Sequence, residues 1–505
     1  MSRSVLDIVR FLPTLALSLS TVAILGAPSR AAPWQEGGSG EPPAGEGGEA
    51  AGDEKEKDDG VEHWFAIQNG EVHTGTGAIL RGATVLARNG KITEIGYDVF
   101  VPADAKILDA RGMRVYPGLV TVSSQGLLGG SSSDLDDTSD PFNSRMTLAL
   151  AAGITSTGLS STAAKLKRFS VDGIVMRDKI FTTLSWSNRT PSGKRTLREK
   201  LQAASAYLRK FREWEEKVKE DKELKEPSKK GVDSSVLSVL KGETTAKFVA
   251  NERDDLLGIA RLAMEFGFRP VIEGCVEGWT VAADLGRAGA FAIVTPRDRR
   301  AKDEQLTSAG GSSIENAAIL HRSGVQVAVL PTTESVDLGG IVGRDIQALP
   351  IEAAFAVRGG LPEAAALDAI TMVPARILGV SHRVGSLEIG KDCDAIVTDG
   401  DLLHYRTFVQ YAVVDGRLVY DKEKELYFAH IRPRPVPPEE KKLDKGETPE
   451  KPKTEEAEPA STEEPKDEKK DEKDGEEKKK EDKPDDKPDD GHEEGDGEEP
   501  PGDGS

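Results

Sequence analysis

The sequence predicts an α/β protein: a TIM-like (β/α)₈ barrel with a small composite β-sandwich formed by the segments before and after it. Three observations predict it. Between Pro117 and about Leu378, apolar runs of four to six residues alternate with helical patterns, the rhythm of a parallel sheet at a length that fits a closed barrel. Short alternating apolar runs punctuated by Asn-Gly or Asp-Gly precede and follow that region, as in hairpins. The charge is pushed to the ends: of a net −20 over 505 residues, 63–440 carry only −1, whereas 35–62 carry −8 and 441–505 carry −13.

Taken in order, Arg3 and Arg10 precede an apolar run from Phe11 to Ala27, and Ser29-Arg30-Ala31 then offers small residues for cleavage. Residues 1–31 are therefore expected to be a signal peptide, with an uncleaved anchor as the alternative. Residues 32–62 read as a disordered acidic linker and 432–505 as a disordered charged tail, because neither holds enough apolar surface to offset the entropy of ordering; from 441 onward Leu443 is the only large apolar side chain. The mature chain is expected to be exported, to the periplasm, cell envelope or extracellular medium, with no membrane span after cleavage. A nearly neutral body excludes nucleic-acid binding driven by phosphate neutralisation. Two cysteines, Cys275 and Cys393, are too few for a disulfide scaffold and form no Cys-x-x-Cys pair.

Residues 63–116 give strands at Trp64–Gln68, Ala83–Ala87, Ile92–Ile95, Ile107–Leu108 and Arg114–Tyr116, with turns expected at Asn69-Gly70 and Asn89-Gly90. This is a small antiparallel unit, the N-terminal part of the sandwich. In 117–380, the barrel, strands are expected at Leu119–Val122, Gly153–Thr157, Gly173–Met176, Ala246–Val249, Pro270–Ile272, Phe291–Val294 and Val325–Leu330. Helices are expected at Arg145–Ala152, Asp254–Phe266, Thr280–Ala288, Ser313–Ser323, Ile351–Arg358 and Pro362–Ile370. A doubly wound open sheet is the other arrangement of such elements, and the lack of Gly-x-Gly-x-x-Gly after the first strand counts against its dinucleotide-binding form. Leu197 to Lys225 interleaves acids and bases at helical spacing and reads as an exposed insertion (197–230). Residues 381–431, with Ala395–Thr398, Phe408–Tyr420 and the turn Asp415-Gly416, return to hairpins and supply the rest of the sandwich.

The stretches Gly82 to Ile92, Leu108 to Gly112 and Pro117 to Val120 resemble the opening of imidazolonepropionase-like members of the amidohydrolase superfamily. Ala354 to Ala375, Leu378-Gly379, Val384 to Leu387, Gly390 to Ala395 and Val414 to Arg417 resemble its closing pattern, and Gly153 to Thr157 its second strand. The resemblance covers roughly 65–420 apart from the insertion. It implies a barrel whose C-terminal mouth holds one or two divalent metals, zinc or another. The ligands it implies are His-x-His on the first strand, Lys or Glu on the fourth, His on the fifth and sixth, and Asp on the eighth. Such a metal brings the pKa of water from 15.7 to about 7 and so makes hydroxide at neutral pH.

Carried onto this chain, the ligand positions fall on Ser123 and Gln125, at or near Val249, near Glu273 and near Thr332; the fourth-strand position is not placed. None of the seven histidines (63, 73, 321, 382, 404, 430 and 492) stands at a predicted barrel-strand end. No bound metal and no catalytic residue are therefore expected, and the five former ligand positions are expected to line a pocket. Carboxylates do lie near the mouth: Asp134, Asp136, Asp137, Asp140, Glu252, Asp254, Asp255, Glu273, Glu277, Glu334 and Asp337. Oxygen ligands of this kind suit Mg²⁺ or Ca²⁺, although acids opening a helix or a Ser/Asp-rich loop have ordinary structural roles. Ser123 and Ser124 lack a Gly-x-Ser-x-Gly elbow and a histidine base, and Cys275 reads as core.

Three functions follow. The first is a noncatalytic member of the superfamily that binds a small-molecule ligand or a partner, either a second copy or an active relative. The second is a hydrolase of C–N bonds in amides, lactams or dipeptide-like substrates with an atypical site. The third is an envelope structural protein that works through its charged tail.

Overall fold

The computed structural model describes residues 62–130, 135–219, 224–302, 304, 307–337 and 343–425. The signal peptide, nearly all of the linker, residues 426–431 and the charged tail lie outside the described residues, as does Asp134.

The chain opens with β1 (Trp64–His73), β2 (Ile79–Arg88), β3 (Lys91–Gly96), β4 (Lys106–Asp109) and β5 (Arg114–Pro117). β6 (Leu119–Thr121), α1 (Leu135–Thr138), α2 (Ser144–Ala151), β7 (Ile154–Leu159), β8 (Thr162–Lys165), β9 (Val175–Arg177) and β10 (Phe181–Thr183) follow. Next come α3 (Pro191–Lys217), α4 (Ser234–Lys241), β11 (Thr245–Ala250), α5 (Arg253–Phe266), β12 (Pro270–Gly274), α6 (Ala282–Arg287) and β13 (Phe291–Val294). The chain continues with α7 (Asn316–Arg322), β14 (Gln326–Val329), α8 (Leu349–Arg358), α9 (Glu363–Asp368) and α10 (Met372–Ile377), and ends on β15 (Ala395–Thr398), β16 (Val409–Val414) and β17 (Arg417–Asp421).

The segments before and after the barrel join as expected, but into one sheet. β5 pairs antiparallel with β15, Pro117 opposite Ala395, giving the strand order β17-β16-β15-β5-β1-β2-β3 with β4 on β1. The ladders therefore do not form the two-sheet sandwich that was expected. One face packs Phe65, Ile67, Val85, Val115, Val397 and Val413 together. The alternate residues Tyr116, Ile396, Ala412 and Val414 join the main core, where α2 lies against β16. Nor is the first unit purely antiparallel, since β4 and β5 run parallel to β1.

Asn89-Gly90 makes its turn, with φ of 48° and 78° and Arg88 opposite Lys91, the left-handed pair that matches strand twist. Asn69-Gly70 does not. Asn69 takes φ 63°, but β1 runs through it to His73 as a bulge, and Gly70 lets the Val115 side chain approach where a Cβ would stand 2.6 Å away.

The barrel strands fall in two parallel arcs, β6-β7 and β10-β11-β12-β13-β14, rather than one closed ladder. The antiparallel hairpin β8-β9 covers the edge of β7, and β10 is hydrogen-bonded to that arc through Ser161, whose carbonyl accepts from Ile180 N–H (2.9 Å) and whose Oγ accepts from Phe181 N–H (2.8 Å). On the other side Gln125 N–H donates to the Glu334 carbonyl (2.9 Å) beside the single bridge Gln125–Ser335. Lower down, Ala369-Ile370 accepts from Val329 and Val120 and fills the gap between β14 and β6.

Alternation sorts the strands. Phe248, Ile272, Ala292, Val294, Val327 and Val329 pack outward in the main core, where α5 contributes Leu256, Ile259, Ala260 and Ala263 at helical spacing. Val122, Val271, Ile293, Ala328 and Leu330 form an inner cluster with Val373 and Ile377. The charged stretch falls largely on α3, which is no free insertion along most of its length, because Leu197, Leu201, Ala204 and Tyr207 are buried and Leu208 and Phe211 pack against the core.

Candidate functional site

The expected ligand positions separate into three groups. On the continuation of β6, the Ser123 hydroxyl donates to Glu334 Oε2 at 2.7 Å, with Gln125 Nε2 3.5 Å from the same oxygen. The local backbone explains this convergence: Ser124 N–H bonds the Gly158 carbonyl at the end of β7 (2.8 Å), and Gln125 N–H bonds the Glu334 carbonyl, so both strand continuations are held in register. Ser124 beneath them is buried and accepts from the Thr157 hydroxyl at 2.6 Å.

Glu273, at the end of β12, faces the barrel interior with Val271, and there it meets Lys247 of β11, Nζ to Oε2 2.6 Å. The ammonium also lies 5.4 Å from the Phe181 ring centroid, a cation held between a carboxylate and an aromatic face. Val249, two residues on from Lys247, is 62% exposed, and Thr332 is exposed too. Thus Ser123 and Gln125 are brought together by Glu334, and Val249 stands beside Glu273 as its register partner although the Glu273 carboxylate is taken by Lys247, while Thr332 is exposed apart from both pairs. Glu334 stood among the acids noted from the sequence. Lys247 did not, although the Ala246/Phe248/Ala250 alternation already places it on the opposite face.

Four of the remaining mouth carboxylates are occupied one at a time. Asp140 Oδ1 accepts from Phe142 N–H (2.9 Å), Asp255 Oδ1 from Asn188 N–H (2.6 Å), and Glu252 pairs with Arg189. Glu277 spans two loops by accepting from Arg253 N–H (2.8 Å) and Gly311 N–H (2.6 Å). Cys275 is buried just beyond β12, and burial pushes its thiol up to about 12, which keeps it protonated and unreactive at neutral pH. Among the described residues His73 pairs with Glu71 and stacks on Tyr116, and His321 ends α7.

A divalent metal does not fit this set. Among the described residues no group of three or more His, Cys, Asp or Glu side chains is placed to hold a metal ion. The one interior carboxylate at an expected ligand position already has an ammonium against it, and the others are a serine, an amide, a valine and an exposed threonine.

The comparisons with known proteins bear on the family. Residues 279–424 match the model of the amidohydrolase family. The amidohydrolase from Thermotoga maritima MSB8 superposes over 71% of this chain and 100% of its own with TM-score 0.53 at 24% identity, which shows a shared TIM-barrel-like α/β fold. The C-terminal part of the chain, residues 279–424, thus carries the pattern of the amidohydrolase family. Among curated proteins, Amidohydrolase tasK of Hapsidospora irregularis is 35% identical over 86 residues, 17% of this chain and 9% of its own length. An N-acetylglucosamine-6-phosphate deacetylase of Danio rerio is 44% identical over 55 residues, 11% of this chain and 14% of its own. The matched stretches thus span only a small fraction of these relatives.

The Lys247–Glu273 pair is testable on its own. Both groups are mostly shielded from solvent, so Lys247→Met, which leaves the Glu273 carboxylate unpaired inside the barrel, is expected to lower unfolding free energy by about 1–3 kcal/mol. Glu273→Gln in the same chain should recover part of it. Urea unfolding of the two single variants and the double variant measures the coupling, and strictly additive changes would mean the contact is not formed.

Proposed function

We propose that this superfamily member is noncatalytic: an exported protein that keeps the hydrolytic scaffold and uses it to bind a small molecule or a protein partner. The observation that carries this reading is the Lys247 ammonium 2.6 Å from Glu273, an internal positive charge where the superfamily resemblance implies a metal ligand. The Ser123–Glu334–Gln125 cluster supports it, because a serine hydroxyl and a carboxamide satisfy one carboxylate there and leave no imidazole to grip an ion. With no metal to make hydroxide, and no histidine beside Ser123 or Ser124 to serve as base, neither route to attack on an amide carbonyl has its nucleophile. The apolar run near the N-terminus supports export, and a second copy or an active relative of this chain is the partner proposed.

The test is elemental analysis of the purified protein after incubation with zinc, with an assay on a panel of amides that includes lactams, dipeptides and N-acetyl sugars. The expected result is substoichiometric zinc and no turnover above the buffer blank. One tightly held equivalent of metal together with measurable hydrolysis would overturn the reading in favour of an atypical C–N hydrolase, the activity that the relatives' names carry.

A further inference from the structure

Helix α8 is apolar on two sides. Leu349, Ala353 and Ala356 are buried in the main core. Ile351, Ala354, Phe355 and Arg358 form a second stripe at three- and four-residue spacings, on which Ile351 is 38% exposed. That stripe, the end of α2 and the loop 402–409 enclose a cavity of about 500 Å³ away from the barrel mouth. Its volume lies within the ~300–1,000 Å³ usual for small-molecule sites. Tyr405 stands at the rim, 73% exposed, yet it is held in place: its ring stacks on His404 at 4.9 Å, and its hydroxyl accepts from Arg406 Nε at 3.0 Å.

Apart from the Gln347 carboxamide, whose Nε2 is given to Asp345, the polar side chains that line this cavity can donate. Arg358 has no carboxylate partner among the described residues. The Thr407 hydroxyl is buried with no hydrogen-bond partner among them. His404 Nδ1 accepts from Arg406 N–H at 3.3 Å, which leaves its proton on Nε2. No Asp or Glu lines the space. Apolar and aromatic walls with a guanidinium, an imidazole N–H and an orphan hydroxyl, and no negative charge, complement an apolar molecule that ends in an anion able to accept several hydrogen bonds.

We propose that this cavity is a binding site for a hydrophobic carboxylic acid, its alkyl or aryl body lying on Ile351, Phe355 and Tyr405 and its carboxylate taken by Arg358 and the neighbouring donors. The site shares no residue with the barrel mouth, so metal or turnover found there leaves it standing.

Calorimetric titration of the full chain with 4-phenylbutyrate, and with 4-phenylbutanol as its uncharged counterpart, tests it. The acid is expected to bind saturably at one equivalent with a Kd below about 1 mM. The alcohol should bind at least about tenfold more weakly, since it lacks the charge-assisted bonds. Arg358→Gln should remove that preference by weakening the acid alone, and Ile351→Asp should abolish binding of both with the thermal midpoint unchanged. Absence of saturable heat from the acid, or an affinity unmoved by Arg358→Gln, overturns the proposal. So does a concentration-dependent dimer in gel filtration that Ile351→Asp dissolves, because the face would then belong to a second copy.

Discussion

Lys165→Met is expected to lower the unfolding free energy by about 3–5 kcal/mol, the cost of stripping the partner from buried charge. Lys165, at the end of β8, has a fully buried side chain whose ammonium meets Asp392 Oδ2 (2.8 Å), Asp394 Oδ1 (3.0 Å) and Asp415. Those aspartates lie in the segment that leads into β15 and in the β16–β17 turn, so one cation from the barrel-side hairpin closes three carboxylates of the composite sheet onto it. Asp392 is shared with Lys91 of β3 (2.5 Å) and Arg383 (2.9 Å), and Asp415 with Lys167 (2.8 Å). Asp394 depends most on Lys165: it is buried, its Oδ1 also accepts from Asp415 N–H at 2.9 Å, and its Oδ2 has no partner among the described residues. Methionine keeps the volume and removes the charge, so the loss in urea unfolding reads electrostatics rather than packing. Adding Asp394→Asn, which needs no counter-charge, should return part of the stability; a double variant as unstable as the single one would show that cavity and shape dominate.

The same cluster sets the acid limb of stability. Burial pushes the Asp392 carboxyl up, and Lys165, with Lys91 and Arg383, more than reverses this and holds it at about 2. Its folded value lies below the unfolded one of about 3.9, so its contribution is present above about pH 4 and is lost as pH falls from there through about 2. Burial pushes Asp394 the other way, upward despite Lys165, so its protonation on acidification offsets part of that loss. Lys165 is raised by the three aspartates against its own burial. Its contribution is therefore intact below the ordinary lysine value and is lost only above it. The expected profile is flat through neutrality and falls below about pH 4, with the fall reduced in Lys165→Met because Asp392 loses its strongest cation.

What could be read from the sequence, and what could not, divides along one line. Strands buried on both faces announce themselves as apolar runs: Phe291–Val294 was expected where β13 lies, and the outward residues of β11 to β14 keep their alternation. β8 escaped because Thr162-Ala163-Ala164-Lys165 is small or charged, yet wholly buried, and so the strand expected at Gly173–Met176, which is β9, reads as a barrel strand instead of the antiparallel partner of β8. Asn69-Gly70 misled because a bulge and a two-residue turn ask for the same positive φ. Charge pairing was the least legible. Lys165 sits in a basic run that looks solvated, and its aspartates come more than two hundred residues later. Lys247 reads as an edge lysine until β12 places Glu273 beside it. The family resemblance suggested ligand positions but not the groups that meet them here: β14 ends at Val329, and Glu334, not Thr332, reaches Ser123.

Gly158→Ala is expected to cost about 3 kcal/mol, at the upper end for forcing one extra carbon into packed structure. The reason is backbone rather than side chain. A Cβ there would lie 2.0 Å from the Val122 carbonyl oxygen, 2.8 Å from its carbon and 2.9 Å from Leu378 Cδ2. Val122 cannot swing aside, because the next turn of chain is tied by Ser124 N–H to Gly158 itself and by Gln125 N–H to Glu334. Relief must come from parting β6 and β7 at their C-terminal ends, which moves Ser123 away from Glu334 and loosens the bridge between the two arcs. Amide exchange at Ser124 and Gln125 should accelerate along with the loss in urea midpoint. Gly82→Ala is the control: it adds a Cβ with nothing within 4 Å at φ +73°, so only left-handed strain of about 1–2 kcal/mol is due. If the two substitutions cost the same, the strand ends are free to part, and a deformable mouth could admit what the present contacts exclude.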